Sequence, residues 1–352
     1  MRTGDFKTSY CLDRAIFQTG VVKFWVILLT IGLLFLPFVA GRYMIYLVNL
    51  SGIAIIGAMG LNILTGYSGQ LSLGHSAFIA IGAYTTAVLP DLLPLSNFPL
   101  SLPLILFLSG GISTIIGVVA GFPAIRLKGL YLALATMAIY FVVMIFLLKG
   151  KGLTGGSAGI QVAPAILLGF QFSTDVHYYF LIFTLVYLCI AFSRNLVRTK
   201  IGRAWIAIRD RDIAAKGIGI NLVKYKLLAF ACSSFYAGVA GSLFAFYMTH
   251  INPVNFEFFL SVKYLSMIIM GGMGSILGSI FGAVFITFLP EFIRILSLKF
   301  VGYSPELSGT MALVELAVFG VFIVLFLIFE PRGFYGIWRT IKVYFKMWPF
   351  SY

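Results

Sequence analysis

The chain has 352 residues, of which 61% are hydrophobic and only 10% charged, with a net charge of +14. An ordinary soluble domain is about a quarter charged. A mean hydropathy of +1.03 leaves too little polar surface to cover a core, so the solvent is lipid. Disorder is excluded on the same grounds, and three scattered cysteines (Cys11, Cys189 and Cys232) exclude a disulfide scaffold. Cys189 and Cys232 lie in apolar runs and read as small buried hydrophobes.

A spanning helix needs about 20 mostly apolar residues. In chain order the runs of suitable character are Phe24–Ala40, Met44–Leu64, Leu71–Leu89, Leu100–Ile125 and Leu130–Leu148. After a polar, glycine-rich stretch at Lys149–Gln161 come Tyr178–Phe192, Leu227–Met248, Phe258–Met270, Ile276–Leu296 and Met311–Phe329. An all-α polytopic membrane protein of about ten segments is therefore expected, because only closed internal hydrogen bonding lets backbone sit in lipid. Nothing alternates with the period of a barrel strand. No small-residue cleavage site follows Phe24–Ala40, so a retained first helix is expected. Residues 1–23 read as a tail, 24–329 as the membrane domain and 330–352 as a basic, aromatic tail. The stretch Trp338–Trp348, with Arg339, Lys342 and Lys346, reads as an anchor on anionic lipid.

Charge placement predicts the topology. With both termini in the cytoplasm, the inner pieces are the two tails, the turn Arg126–Lys128 and the segment Arg194–Lys226. Together they hold 19 Lys and Arg, against six on the other side: Arg42, Lys149, Lys151, Lys263, Arg294 and Lys299. That is the positive-inside bias, and it accounts for the net charge without nucleic acid. No Gly-x-x-x-x-Gly-Lys-Ser/Thr phosphate loop occurs, so nucleotide-driven transport would need an ATPase on another chain.

Two glycine-dense stretches interrupt the apolar pattern: Thr65–Ser76 and Gly271–Gly282. One lies in each half, as in the inverted repeats of transporters, and helix breaks at membrane depth are tolerated only beside protein or a wet cavity. Gly274, Gly278 and Gly282 recur every four residues, which favours close helix packing. Gln70 and Ser72 either line a route or prop a broken backbone. His75 reads as a hydrogen-bonded structural histidine, with a proton relay as the other reading. Glu315 is a carboxylate inside Met311–Phe329, either facing protein or reaching to the membrane surface. An ion-coupled carrier working alone would call for paired intramembrane ionisable groups, and a membrane-embedded enzyme for a nucleophile and base. The sequence offers neither pattern.

Within Arg194–Lys226 the order Ile213-Ala214-Ala215-x-x-x-Gly219 resembles the Glu-Ala-Ala-x-x-x-Gly loop by which permease subunits of ATP-binding-cassette importers dock on their ATPases. Ile213 stands where that loop has glutamate, and Asp212 precedes it. Gly202-Arg203-Ala204, Ala207-Ile208-Arg209, Leu61-Asn62-Ile63-Leu64-Thr65-Gly66, Leu71-Ser72-Leu73-Gly74-His75 and Leu153-Thr154-Gly155-Gly156-Ser157 extend the likeness. So do Gly271-Gly272-Met273-Gly274, Leu289-Pro290-Glu291 and Pro331-Arg332-Gly333. Together they make the chain similar to LivM-type permeases of branched-chain amino-acid importers over roughly residues 25–338. Ala158-Gly159 departs from the Asp-Gly common there.

The resemblance implies a bundle with broken helices in a bacterial or archaeal inner membrane, carrying leucine, isoleucine and valine, with urea or short amides as the alternative cargo. It implies a LivH-type second permease, two cytoplasmic ATPases that use ATP and Mg, and an extracytoplasmic amino-acid-binding protein. No cofactor is expected on this chain. Arg203, Arg209, Asp212, Ala214, Ala215 and Gly219 are the implied ATPase-coupling residues, and Gln70, Ser72, His75 and Glu315 the candidates for the pathway.

Overall fold

The computed structural model describes residues 20–92, 101–301, 317–318, 320–322, 324–326, 328–330 and 333–347. Helix α1 is Gly20–Val39. Helix α2, Arg42–Leu61, continues as a π-helical turn through Asn62–Tyr67. Then come α3 (His75–Leu92), α4 (Ser101–Ala124), α5 (Leu130–Lys149) and the short α6 (Lys151–Thr154). Two-residue strands β1 (Ile160–Gln161), β2 (Ile166–Leu167) and β3 (Phe170–Gln171) precede α7 (Asp175–Arg198), α8 (Lys200–Asp210), α9 (Asp212–Gly217) and α10 (Leu222–Met248). After β4 (His250–Ile251) follow α11 (Phe258–Gly271), α12 (Ile276–Val301) and α13 (Gly333–Met347).

Among the described residues, seven helical stretches are long and apolar enough to cross a membrane. They are Arg42–Tyr67, α4, α5, α7, α10, Pro253–Gly271 and Ile276–Ile295. Ten were expected from hydropathy. Lys23–Val39 is apolar but shorter. The expected segment from Leu71 begins as helix only at His75, since residues 69–74 carry no helical turn. Part of Met311–Phe329, with Glu315, lies outside the described residues.

Small residues let the central helices touch at backbone level. A Cβ on Gly241 of α10 would stand 1.9 Å from the Ile79 carbonyl oxygen of α3, and one on Gly82 of α3 would stand 2.2 Å from that of Gly238. Close approach of this kind replaces the hydrophobic drive that lipid removes. Buried hydroxyls then tie α3, α4 and α10, with Thr86 donating to Ser242 at 2.6 Å and sharing a bond with Ser109 at 2.9 Å.

The bundle has two distinct ends. At one, Lys128 pairs with Asp212 at 2.5 Å, joining the α4–α5 turn to α9, and the start of α13 lies on the α11–α12 turn. At the other, β1 pairs antiparallel with β4 through Ile160↔Ile251, and Tyr43 donates to Glu291 on α12. The two inner charged pieces read from sequence, Arg126–Lys128 and Arg194–Lys226, thus meet at a single end, and Gly156 and Lys216 lie at opposite ends.

Candidate functional site

The site is the end where the two glycine-rich stretches meet the charged segment. Helix α2 does not stop cleanly: its last turn widens into the π-helical Asn62–Tyr67. Such turns carry one extra residue and recur at functional positions. The chain then runs without helix to His75, and its backbone is held locally. Ser68 Oγ donates to the Leu64 carbonyl at 2.7 Å, Gln70 Nε2 donates to Ser68 Oγ at 2.7 Å and Thr65 Oγ1 donates to the Gln70 carbonyl at 3.1 Å. The second break, between α11 and α12, turns on Gly272 at φ 116° and Gly274 at φ 77°, conformations that L side chains rarely adopt. Ser275 then caps α12 by accepting from the Gly278 N–H at 3.2 Å.

Asn62 joins the two breaks across more than two hundred residues. Its Oδ1 accepts from the Gly274 N–H at 2.8 Å, and its Nδ2 donates to the Ser275 carbonyl at 2.8 Å and to Ser279 Oγ at 2.7 Å. Sequence reasoning did not single out Asn62. An asparagine inside an otherwise apolar run, Met44–Leu64, was the available signal. Beside it, Gly66 admits the contact: a Cβ there would stand 1.9 Å from Asn62 Oδ1 and 2.4 Å from the Gly274 nitrogen.

The charged segment reaches into this joint. Helix α8 starts at the Thr199 cap and turns Ala204, Trp205 and Ile208 inward, with the Trp205 indole donating to the Tyr225 carbonyl at 2.8 Å. Arg209, at the edge of that stripe, donates from Nη1 to the Gly66 carbonyl at 2.9 Å, and its Nε and Nη2 hold Asp210 at 3.1 Å. Gly69 lies against the Arg209 stem: a Cβ there would stand 3.0 Å from Arg209 Cγ. A cavity of about 270 Å³ adjoins the joint, lined by Tyr67, Arg194, Gly274, Ser275, Leu277 and Tyr335, among others.

The remaining expected residues divide. Asp212 is positioned by Lys128, whose hydrogen bond holds the carboxyl below its ordinary range. Arg203 and Ala214 are exposed on the outer side. Ala215 is buried, because it is the inward residue of α9. Gly219, at φ 85°, closes α9 as a left-handed cap, so glycine is required there by the backbone. The outward face of α9 and its cap carries instead Ile213 and Ile218, 81% and 76% exposed.

Of the pathway candidates, Gln70, Ser72 and His75 are all buried. Gln70 braces the first break and also donates to the Lys226 carbonyl at 3.4 Å. His75 bonds through Nε2 to the Gly57 carbonyl at 2.9 Å and lies edge-on to Tyr264, a structural placement. Gln70 Oε1, Ser72 Oγ and His75 Nδ1 have no partner among the described residues. Glu315 lies outside the described residues. Gly278 and Gly282 pack on α11 as their spacing implies, whereas Gly274 serves the turn. A second cavity, of about 170 Å³, is lined from α2, α3, α10, α11 and α12, among others by Ile53, Phe244, Met267, Asn255, Lys263 and Thr287.

A close-packed helical bundle, with two breaks joined at one end to a charged segment, defines a membrane-transport subunit. The chain belongs to the family of permease components of branched-chain amino acid transport systems, whose family model matches residues 43–329. It is 33% identical over 321 residues to the high-affinity branched-chain amino acid transport system permease protein LivM of Salmonella typhimurium, covering 84% of this chain and 71% of that one. To the probable branched-chain amino acid transport permease protein LivM of Methanocaldococcus jannaschii it is 24% identical over 317 residues, 80% of this chain and 90% of the relative. The autoinducer 2 import system permease protein LsrC of Salmonella typhi is 27% identical over 186 residues, 49% of this chain and 51% of that one. No solved structure matches.

Proposed function

We propose that this chain is one membrane half of an ATP-driven importer for leucine, isoleucine and valine. It works beside a second permease of LivH type, two ATPases at its charged end and an amino-acid-binding protein at the other. The end bearing α8 and α9 faces the cytoplasm, as the positive-inside bias requires. Ile213, Ala214, Ile218 and Gly219 form the outward docking face. A pair of exposed isoleucines suits an apolar cleft on the ATPase, in place of the salt bridge that a glutamate would make. The observation that carries the reading is the Arg209–Gly66 bond, which links the segment outside the bundle to a helix break inside it. The cavity lined by Ile53, Phe244 and Met267 together with Asn255, Lys263 and Thr287 combines apolar and polar groups, as an aliphatic zwitterion requires.

The test is uptake into proteoliposomes holding both permeases and the ATPases, with binding protein outside and ATP inside. Labelled leucine should accumulate only with ATP and binding protein, and unlabelled isoleucine or valine should compete while urea does not. Accumulation without ATP would contradict the reading.

A further inference from the structure

The joint described above has the geometry of a linkage. Asn62 is fully enclosed, and all three of its hydrogen bonds go to one short stretch, Gly274–Ser279. It therefore supplies, from the far half of the chain, a partner for an N–H just ahead of α12 that no helical carbonyl can reach. Arg209 reaches the same place from outside. Its guanidinium holds the Gly66 carbonyl, and a Cβ on Gly274 would stand 2.8 Å from Arg209 Nη1. Both breaks and the charged segment thus converge within a few ångströms. The Asn62 amide that joins the two breaks is buried, where an unmade bond is costly and a made one resists opening, while Arg209 makes its bond from the partly exposed rim.

We infer that Asn62 and Arg209 are positioning residues that make the two helix breaks move as one body with the segment α8–α9. This rests on the proposed function, in which that segment receives the ATPase stroke. The stroke reaches α2 through Gly66 and passes to α12 through the Asn62 amide. A shift of α9 then displaces the inner ends of two helices from opposite halves of the chain together. Without the joint, the segment can follow the ATPase while the breaks stay behind.

Two measurements separate the inference from the reading it rests on. The first is the number of leucine molecules imported per ATP hydrolysed by the assembled importer, with Asn62→Asp, Arg209→Gln and Arg209→Lys. Asn62→Asp keeps the shape but turns the donor toward Ser275 into an acceptor. Both it and Arg209→Gln should lower the ratio by about tenfold, the order of one lost hydrogen bond, while binding protein still stimulates hydrolysis. Arg209→Lys, which keeps a cationic donor, should recover part of it. A wild-type ratio in both variants would overturn the linkage and leave the importer reading standing. Absence of ATP-driven uptake by the wild-type complex would overturn the reading instead.

The second measurement needs no ATPase. Nitroxide labels at the exposed Lys216 and Met273, on the wild-type chain in nanodiscs, should give one narrow distance distribution that broadens in Arg209→Gln and in Asn62→Asp. An unchanged distribution in both variants would overturn the linkage even if neither variant assembles with its partners.

Discussion

The two helix breaks look alike in sequence and are built differently. The first carries its own polar support: Ser68 and Thr65 bond the backbone beside the π-helical turn, and Gln70 holds the Ser68 hydroxyl. The second is almost bare, two left-handed glycines and a serine cap, and it takes the bond to its Gly274 N–H from Asn62 of the first. A glycine turn is a cheap way to reverse a chain, but it brings no side chain to satisfy what it exposes. The consequence is a one-sided dependence, in which the second break relies on the first for its order.

That asymmetry ranks the substitutions. Gly66→Ala should be the most damaging, because its Cβ would enter the space of Asn62 Oδ1 and the Gly274 nitrogen. Overpacking there should cost about 3 kcal/mol, read as a large fall in the melting temperature of the detergent-solubilised chain. Gly111→Ala on α4, where a Cβ meets nothing within 4 Å, is the matched control and should be neutral. Asn62→Leu comes next, since it strands the Gly274 N–H at about 1–3 kcal/mol. Hydrogen exchange should then rise at the start of α12 more than at Ser68–Gly74. Equal rises at both breaks would remove the asymmetry.

Gln70→Leu should cost about 1 kcal/mol, because Ser68 still bonds the Leu64 carbonyl without it. Assembly should survive and uptake should slow, whereas loss of the complex would make Gln70 a structural brace alone. Lys128→Ala should be the mildest, at most about 1 kcal/mol, since the pair with Asp212 is largely exposed. The Asp212 carboxyl is held below its ordinary range, so the pair contributes fully above that range and loses its contribution as pH falls from there through the lowered folded value. Stability of the wild type relative to Lys128→Ala should therefore be flat around neutrality and converge only in acid.

Much of this was legible in the residues. Apolar run length located the bundle helices, and glycine with serine density located both breaks, because each is a local property of the chain. That the breaks touch was not legible: Asn62 and Gly274 are brought together by the whole bundle, and an asparagine near the end of an apolar run looks like the run giving way to a loop. Arg209 was legible as a charged residue of the coupling segment, but its partner is a backbone carbonyl, which no sequence marks. That Ala215 turns inward was not legible, because α9 spans only Asp212–Gly217, too few turns to show which side is apolar. The positive φ that favours glycine at Gly219 was likewise not legible, since it depends on how α9 ends.

In the proposed function the ATP-hydrolysing partner acts on the α9 face of this chain. A photo-reactive residue placed at Ala214, in the fully assembled importer, probes that contact, with another at the exposed Leu168 of the opposite end for comparison. Ala214 should capture the ATPase subunit, and its yield should change when ATP is added, while Leu168 should capture none. Capture from Leu168 and not from Ala214, in a complex that still imports leucine with ATP, would contradict the account.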